Sequence, residues 1–280
     1  MTVANGNLKR HQLQVAFMVV AVLGGICIVF APNVGAVTVT FQEGVAGYIG
    51  TVDTFIQEKT SDQDNDNGTA QTITLQEKTS DNWDILMRFD LSPIPAGQVV
   101  STATFTLNKE AGDTNTLTVT AYKLTAGSWS EGDGNSATAG HADWNHRIHA
   151  TTTWTSGDFS TSDYDLASGM STSVSVNGLY SWNLTAMTQA WYANSATNFG
   201  FVLIGSGVNN KQQVFSSSEK STSSLRPKLT VTYAAAPPVI PEPASVLLFG
   251  LGGLGMNWTR RRKRNALGRI TDPRDAEGAR

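Results

Sequence analysis

Apolar and polar residues alternate with a period of two along much of the chain, as in Val37-Thr38-Val39-Thr40-Phe41, Phe105-Thr106-Leu107, Leu117-Thr118-Val119-Thr120 and Leu229-Thr230-Val231-Thr232-Tyr233. Successive side chains of a strand point to opposite faces, so each run predicts a strand with one buried face and a threonine-rich face toward solvent. Further strands are expected at residues 53–57, 72–76, 85–89, 173–176, 180–184 and 199–204, separated by clusters of Gly, Asn and Asp that suit turns. Many short strands with no internal repeat predict an all-β protein built as a β-sandwich. One short helix is expected near residues 185–193, with Thr185 capping its start and Met187, Ala190 and Trp191 spaced to dock on a sheet edge.

Two longer apolar stretches break this pattern, one near each end. The first, from about residue 13 to residue 30, follows Lys9, Arg10 and His11 and leads to Pro32 and Val34-Gly35-Ala36. A basic start, an apolar middle and a small-residue end predict a secretory signal peptide over residues 1–36, cleaved after Ala36. At the other end a proline-rich linker, residues 236–243, closes on Pro241-Glu242-Pro243. An apolar segment and a basic cluster containing Arg260, Arg261 and Arg262 fill residues 244–264, and a polar tail follows over 265–280. The apolar run of about 15 residues is shorter than the roughly 20 that cross a bilayer comfortably, so it predicts a transient membrane contact with its arginines on the cytoplasmic side. The order Pro-Glu-Pro, short apolar segment, arginine cluster resembles the PEP-CTERM sorting signal of Gram-negative bacteria that make extracellular polysaccharide. That resemblance implies recognition by an exosortase-type enzyme, processing near Pro-Glu-Pro, and delivery to the cell surface or extracellular matrix. The polar tail runs past the point where that signal usually stops. Gly250-Leu251-Gly252-Gly253-Leu254-Gly255 matches a dinucleotide-binding fingerprint in letters only, because it lacks the strand before it and the amphipathic helix after it.

The remaining body, residues 37–235, reads as one domain. Between residues 37 and 240 there are 19 acids and 10 bases, which puts the body near −9 although the whole chain is only −3. Nucleic acid is excluded as a partner, since phosphate binding needs a basic surface. The only cysteine, Cys27, lies in the N-terminal apolar stretch, which leaves the body without disulfides, thiolate ligands or a cysteine nucleophile. No G-x-S-x-G elbow and no H-E-x-x-H pair occurs, and the reading is not an enzyme. Glu131, Asp133, Asp143 and Asp158 are the acids that a glycosidase pair would draw on, but nothing in their spacing requires a pair.

Between Thr51 and Tyr233 a series of short motifs occurs in a fixed order. It starts with Asp53-Thr54-Phe55-Ile56, Asn67-Gly68, Leu86-Met87-Arg88-Phe89-Asp90-Leu91 and Ser101-Thr102-Ala103-Thr104-Phe105. It continues with Trp129-Ser130-Glu131-Gly132, Asp143-Trp144-Asn145, Trp154, Gly157-Asp158-Phe159, Trp182-Asn183-Leu184-Thr185, Phe215-Ser216-Ser217-Ser218-Glu219 and Arg226-Pro227-Lys228-Leu229. This order resembles a DNRLRE domain, also classed as carbohydrate-binding module family ninety-six. The resemblance implies a β-jelly-roll fold and, as in some members, binding to acidic polysaccharides.

Candidate chemistry is concentrated in loops. Asp62, Asp64 and Asp66 alternate ahead of Gly68, an oxygen-rich loop that suggests calcium, although Asn67 and Ile73 stand where an EF-hand needs its glycine and final acid. His146 and His149, with His141 and Asp143 nearby, hold metal-ligand chemistry, yet in a Gly-, Asn- and Thr-rich loop their spacing does not align them, and exposed loop histidines are expected. Arg88 and Asp90 are expected to flank a strand and pair structurally. Aromatic faces stack on sugar rings, so Trp83, Trp129, Trp144 and Trp154, in or beside loops, are the candidate glycan contacts, while Trp182 and Trp191 follow core patterns. The sequence thus predicts a secreted polysaccharide-binding protein of the cell surface or matrix, with a structural or adhesive matrix protein as the alternative and a polysaccharide lyase or hydrolase as the last. Binding a uronate without a cation would require some of Lys59, Lys78, Lys109, Lys123, Arg147 and Lys211 to cluster.

Overall fold

The computed structural model describes residues 35–134 and 136–236, together with a two-residue antiparallel pairing of Val22–Leu23 with Ile26–Cys27. The signal-peptide reading of residues 1–36 falls largely outside the described residues. The Pro241-Glu242-Pro243 motif, the segment holding Arg260, Arg261 and Arg262, and the tail over 265–280 fall wholly outside them.

The alternating runs become antiparallel strands: β1 (Val37–Gln42), β2 (Thr51–Gln57), β3 (Thr72–Glu77), β4 (Trp83–Phe89), β5 (Gln98–Gly112) and β6 (Leu117–Leu124). A small hairpin of β7 (His146–Ile148) and β8 (Thr152–Thr153) precedes β9 (Tyr164–Val174), β10 (Gly178–Asn183), the helix α1 (Thr185–Ala193), β11 (Phe201–Ser206), β12 (Lys211–Ser216) and β13 (Lys228–Ala235). Apart from the β7–β8 hairpin, these strands form one curled network in the order β9-β6-β11-β4-β3-β12-β5-β13-β1, with β2 added to β4 and β10 to β5. The link from β3 to β4 is the single pair Gln76 and Trp83. Divided there, the network has one face of β9, β6, β11, β4 and β2 and another of β3, β12, β5, β13, β1 and β10. The long strand β5 carries β13 over residues 98–106 and β12 over 109–112, while its other edge carries β10 over 104–109.

The two faces enclose the main core. Phe55, Ile85, Met87, Phe89, Phe201 and Leu203 from one face join Phe41, Leu75, Phe105, Phe215, Leu229 and Val231 from the other. Phe105 meets Phe201 edge-on with centroids 4.9 Å apart, and meets Phe89 at 6.0 Å. The architecture is the all-β sandwich that the alternation predicts.

One face is buried on both sides. Ile56, Leu86, Leu124 and Val202 point away from the main core into a second cluster with Trp129, Ala142, Trp144, Trp154 and Phe159. Those five belong to the connection between β6 and β9, residues 125–163, which folds over the sheet as a cover. Burial on both sides explains the unbroken apolar triplets Ile85-Leu86-Met87 and Phe201-Val202-Leu203, where a half-exposed strand would alternate.

The helix lies where the periodicity places it, but with different anchors. Thr185 does not cap: its hydroxyl donates to Asn183 Oδ1 at 2.7 Å and accepts the Ala103 amide at 2.9 Å, tying the helix start to β5. Met187, Thr188 and Trp191 are buried, whereas Ala190 is exposed. Thr188 takes the docking position because it falls one turn from both Leu184 and Trp191.

Candidate functional site

The cover is joined to the loop between β2 and β3 by a seam of backbone and side-chain bonds. The Trp144 amide donates to Gln63 O at 3.0 Å, and the Ala137 amide to Asp64 O at 2.7 Å. Asp66 Oδ1 accepts the amides of Asp133 and Gly134 at 2.9 and 2.8 Å. The chains approach so closely that a Cβ on Gly68 would stand 2.3 Å from Gly132 O. Three groups of metal-ligating side chains occur at this seam and beside it, each with its donor atoms within 4.8 Å of one another.

The first group is Asp53, Glu131 and Glu219, three carboxylates from β2, the cover and the turn after β12. Asp53 is fully buried; its Oδ2 accepts the Ser218 amide at 2.8 Å while Oδ1 has no partner, and Glu219 Oε2 is likewise buried and unpartnered. Burial, then the neighbouring Glu219 and Glu131, push the Asp53 carboxyl well above the ordinary range. Burial also lifts Glu131 to about 7, against the Asp53 amide that donates to it at 2.9 Å. An all-oxygen set of this kind suits a hard cation such as calcium.

In the second group His141 Nδ1 lies 3.4 Å from Asp66 Oδ2 and 3.8 Å from Asp133 Oδ1. The third joins Asp64, Asp143, His146 and His149, with the Nδ1 atoms of both imidazoles at one buried carboxylate, Asp143.

These positions correct several expectations. Asp62, Asp64 and Asp66 do not form one calcium loop: Asp62 pairs with Lys59 at 3.6 Å, and Asp64 and Asp66 enter different groups across the seam. Ligands from the cover complete the sets that Asp64 and Asp66 enter. The histidines are half-buried and not exposed, because the seam closes over them. Trp129, Trp144 and Trp154 are buried in the second cluster, with the indole N–H groups of Trp129 and Trp154 donating to Phe199 O and Asp143 O. Their faces serve the cover's own packing and are not presented to a glycan. Trp83 is half-buried, stacks on Phe55 at 5.5 Å, and donates its N–H to Asp81 at 3.0 Å. Arg88 lies over the Trp129 ring at 5.5 Å with the Asp90 charge acting on it, and Asp90 itself accepts hydrogen bonds from Ser92 in the turn after β4. Lys59, Lys78, Lys123 and Lys211 are each engaged by a nearby aspartate, and Lys109 is buried against Asn177.

Sequence reasoning missed one feature altogether. A cleft of about 920 Å³ opens between the β4–β5 connection and the end of α1, lined among others by Ile49, Arg88, Asp90, Leu91, Gln98 and Tyr192. Ile49 stands on it 84% exposed. Its walls come from segments distant in sequence, so only the fold brings them together.

The comparisons with known proteins bear on the tail. The PEP-CTERM protein-sorting motif matches residues 239–263, which include Pro241, Glu242, Pro243 and Arg260, Arg261 and Arg262. This motif marks the chain for export to the cell surface through an exosortase-type system. No curated protein matches the chain.

Proposed function

We propose that the exported protein is a non-catalytic polysaccharide-binding protein of a Gram-negative cell surface or matrix, held briefly at the inner membrane by its sorting segment. The observation that carries this reading is the cleft beside α1. A sugar presents hydroxyls and apolar C–H faces together, and a cleft that sets exposed Ile49 and half-buried Tyr192 beside Arg88, Asp90 and Gln98 offers partners for both. The order of motifs that resembles a DNRLRE domain supports the same substrate class. The non-catalytic part is supported by the scattering of Glu131, Asp133 and Asp143 into three different groups, each already engaged with its own neighbours.

The test is a titration of the exported protein against neutral and acidic polysaccharides, with calcium and again with chelator. Saturable binding to at least one of them is expected, and Ile49→Asp at the cleft should weaken it by at least about tenfold, roughly 1.4 kcal/mol. Loss on chelation that calcium chloride restores and zinc chloride does not assigns a bridging calcium to the interaction. Absence of binding across the panel overturns the reading in favour of a structural or adhesive matrix protein. One observation speaks for that second reading: Val176 and Leu179 are 60 and 62% exposed beside and on β10, an apolar pair suited to self-association.

A further inference from the structure

Asp143 is buried, and two imidazoles converge on it. His146 Nδ1 lies 3.1 Å from its Oδ1 and His149 Nδ1 lies 2.5 Å from its Oδ2. The amides of Asn145 and His146 donate to the same Oδ1 at 2.8 and 2.7 Å, while the Asn145 side chain reaches across the seam to Asp64 Oδ1 at 3.1 Å. One asparagine therefore holds both carboxylates. The surrounding backbone is fixed as well, since the Asp143 amide donates to His146 O and the His149 amide to His141 O. Among the described residues no lysine or arginine comes within 4 Å of either carboxylate, so no fixed cation of the chain occupies the place between them.

We propose that Asp64, Asp143, His146 and His149 bind a divalent transition-metal ion, zinc by preference, that staples the cover to the β2–β3 loop. Two nitrogens and two carboxylates are the donor set that a borderline ion takes in tetrahedral geometry, whereas calcium and magnesium prefer oxygen alone. Tetrahedral ligands at about 2.0–2.2 Å from zinc stand roughly 3.5 Å apart, so donors within 4.8 Å of one another need shifts of about 1 Å, in which the wider pairs close and the His149–Asp143 pair, now at 2.5 Å, opens as the ion replaces its hydrogen bond. Asp64 comes from one side of the seam and the other three from the cover, so the ion would cross-link segments about 80 residues apart in sequence and lower the freedom of both. This site lies apart from the cleft residues and does not depend on the polysaccharide reading.

The experiment strips the exported protein of metal with chelator and titrates it with zinc chloride by calorimetry, using cobalt(II) chloride as a spectroscopic stand-in. One zinc per chain, a higher Tm, and cobalt ligand-field bands of a four-coordinate site are expected, with calcium chloride unable to displace either ion. Asp64→Asn and His149→Gln should each weaken zinc binding by at least about tenfold. Asp64 is exposed, so its substitution leaves the fold intact by circular dichroism even if that of His149 does not. Folded wild-type protein that binds no zinc overturns the proposal, as does zinc binding undiminished in Asp64→Asn. Loss in His141→Gln with Asp64→Asn unaffected also overturns it, by assigning the ion to the neighbouring group.

Discussion

Asp84 stands on β4 with 5% of its surface exposed, facing Glu58 and Glu77 where a strand of this kind would ordinarily carry an apolar side chain. Burial first, and those two glutamates second, raise its carboxyl well above the ordinary value. Below about pH 4 both folded and unfolded chains hold the proton and nothing is lost. As pH rises the unfolded chain releases it while the folded chain retains it, so unfolding free energy falls until the folded carboxyl has titrated. Asp84→Asn removes this loss: its Tm relative to wild type should increase between pH 4 and pH 8, by about 2 °C or more. An offset that is the same at both pH values would remove Asp84 from the account. Individual residues were otherwise only half legible. Residue type marked the histidines and aspartates of the seam as ligand chemistry, but which of them meet depends on contacts between residues about 80 positions apart. The loop tryptophans misled for a related reason. A loop is exposed only if nothing beneath it needs covering, and here Leu86, Ile56 and Val202 do.

At the scale of elements, the period-two runs and the helix near residues 185–193 were readable because each strand's inner face and the helix's docking stripe repeat locally. β12 was not, since Lys211-Gln212-Gln213-Val214 shows no alternation; its place is set by pairing with β3 and β5. Nor was the full length of β5, whose fifteen residues serve three partners in succession. The cover is an element of a kind that periodicity misses, with an apolar cluster of its own and almost no regular structure. Its closure depends on Gly68, where a side chain would meet the Gly132 carbonyl and amide at 2.3 and 2.4 Å. Neither backbone atom can swing aside as a side chain would. Gly68→Ala should therefore cost about 1–3 kcal/mol and open the seam, seen as faster amide exchange at Asp133, Gly134, Ala137 and Trp144, whose N–H groups bond across it. Unchanged exchange at those four amides with unchanged Tm would show that the seam tolerates the extra carbon. The same substitution at Gly97, with open space around it, tests positive-φ strain alone and should leave these amides as they are.

At the scale of the whole molecule, charge is divided unevenly between the ends and the body. Half of the basic residues lie outside residues 37–240, and the enclosed 19 acids against 10 bases leave that body near −9. Cleavage after Ala36 and near Pro241-Glu242-Pro243 would thus change more than length, converting a precursor at −3 into a strongly acidic mature protein. Such a body is repelled by anionic lipid and by anionic glycan alike. Surface-recovered protein should therefore focus at a lower pH than the full precursor and have a mass that fits loss of both ends. Replacing Pro241-Glu242-Pro243 by alanines should abolish the C-terminal part of that change and hold the protein in the membrane fraction, while the folded body remains intact because its cores lie within residues 41–233. Deleting residues 265–280 separates the polar tail from the motif: unchanged delivery would mark the tail as neutral to sorting, and improved delivery would mark it as a brake. Recovery of the alanine variant at the surface in its normal mature mass would mean that export does not use Pro-Glu-Pro, and the match over residues 239–263 would then have to act through its apolar and basic parts alone.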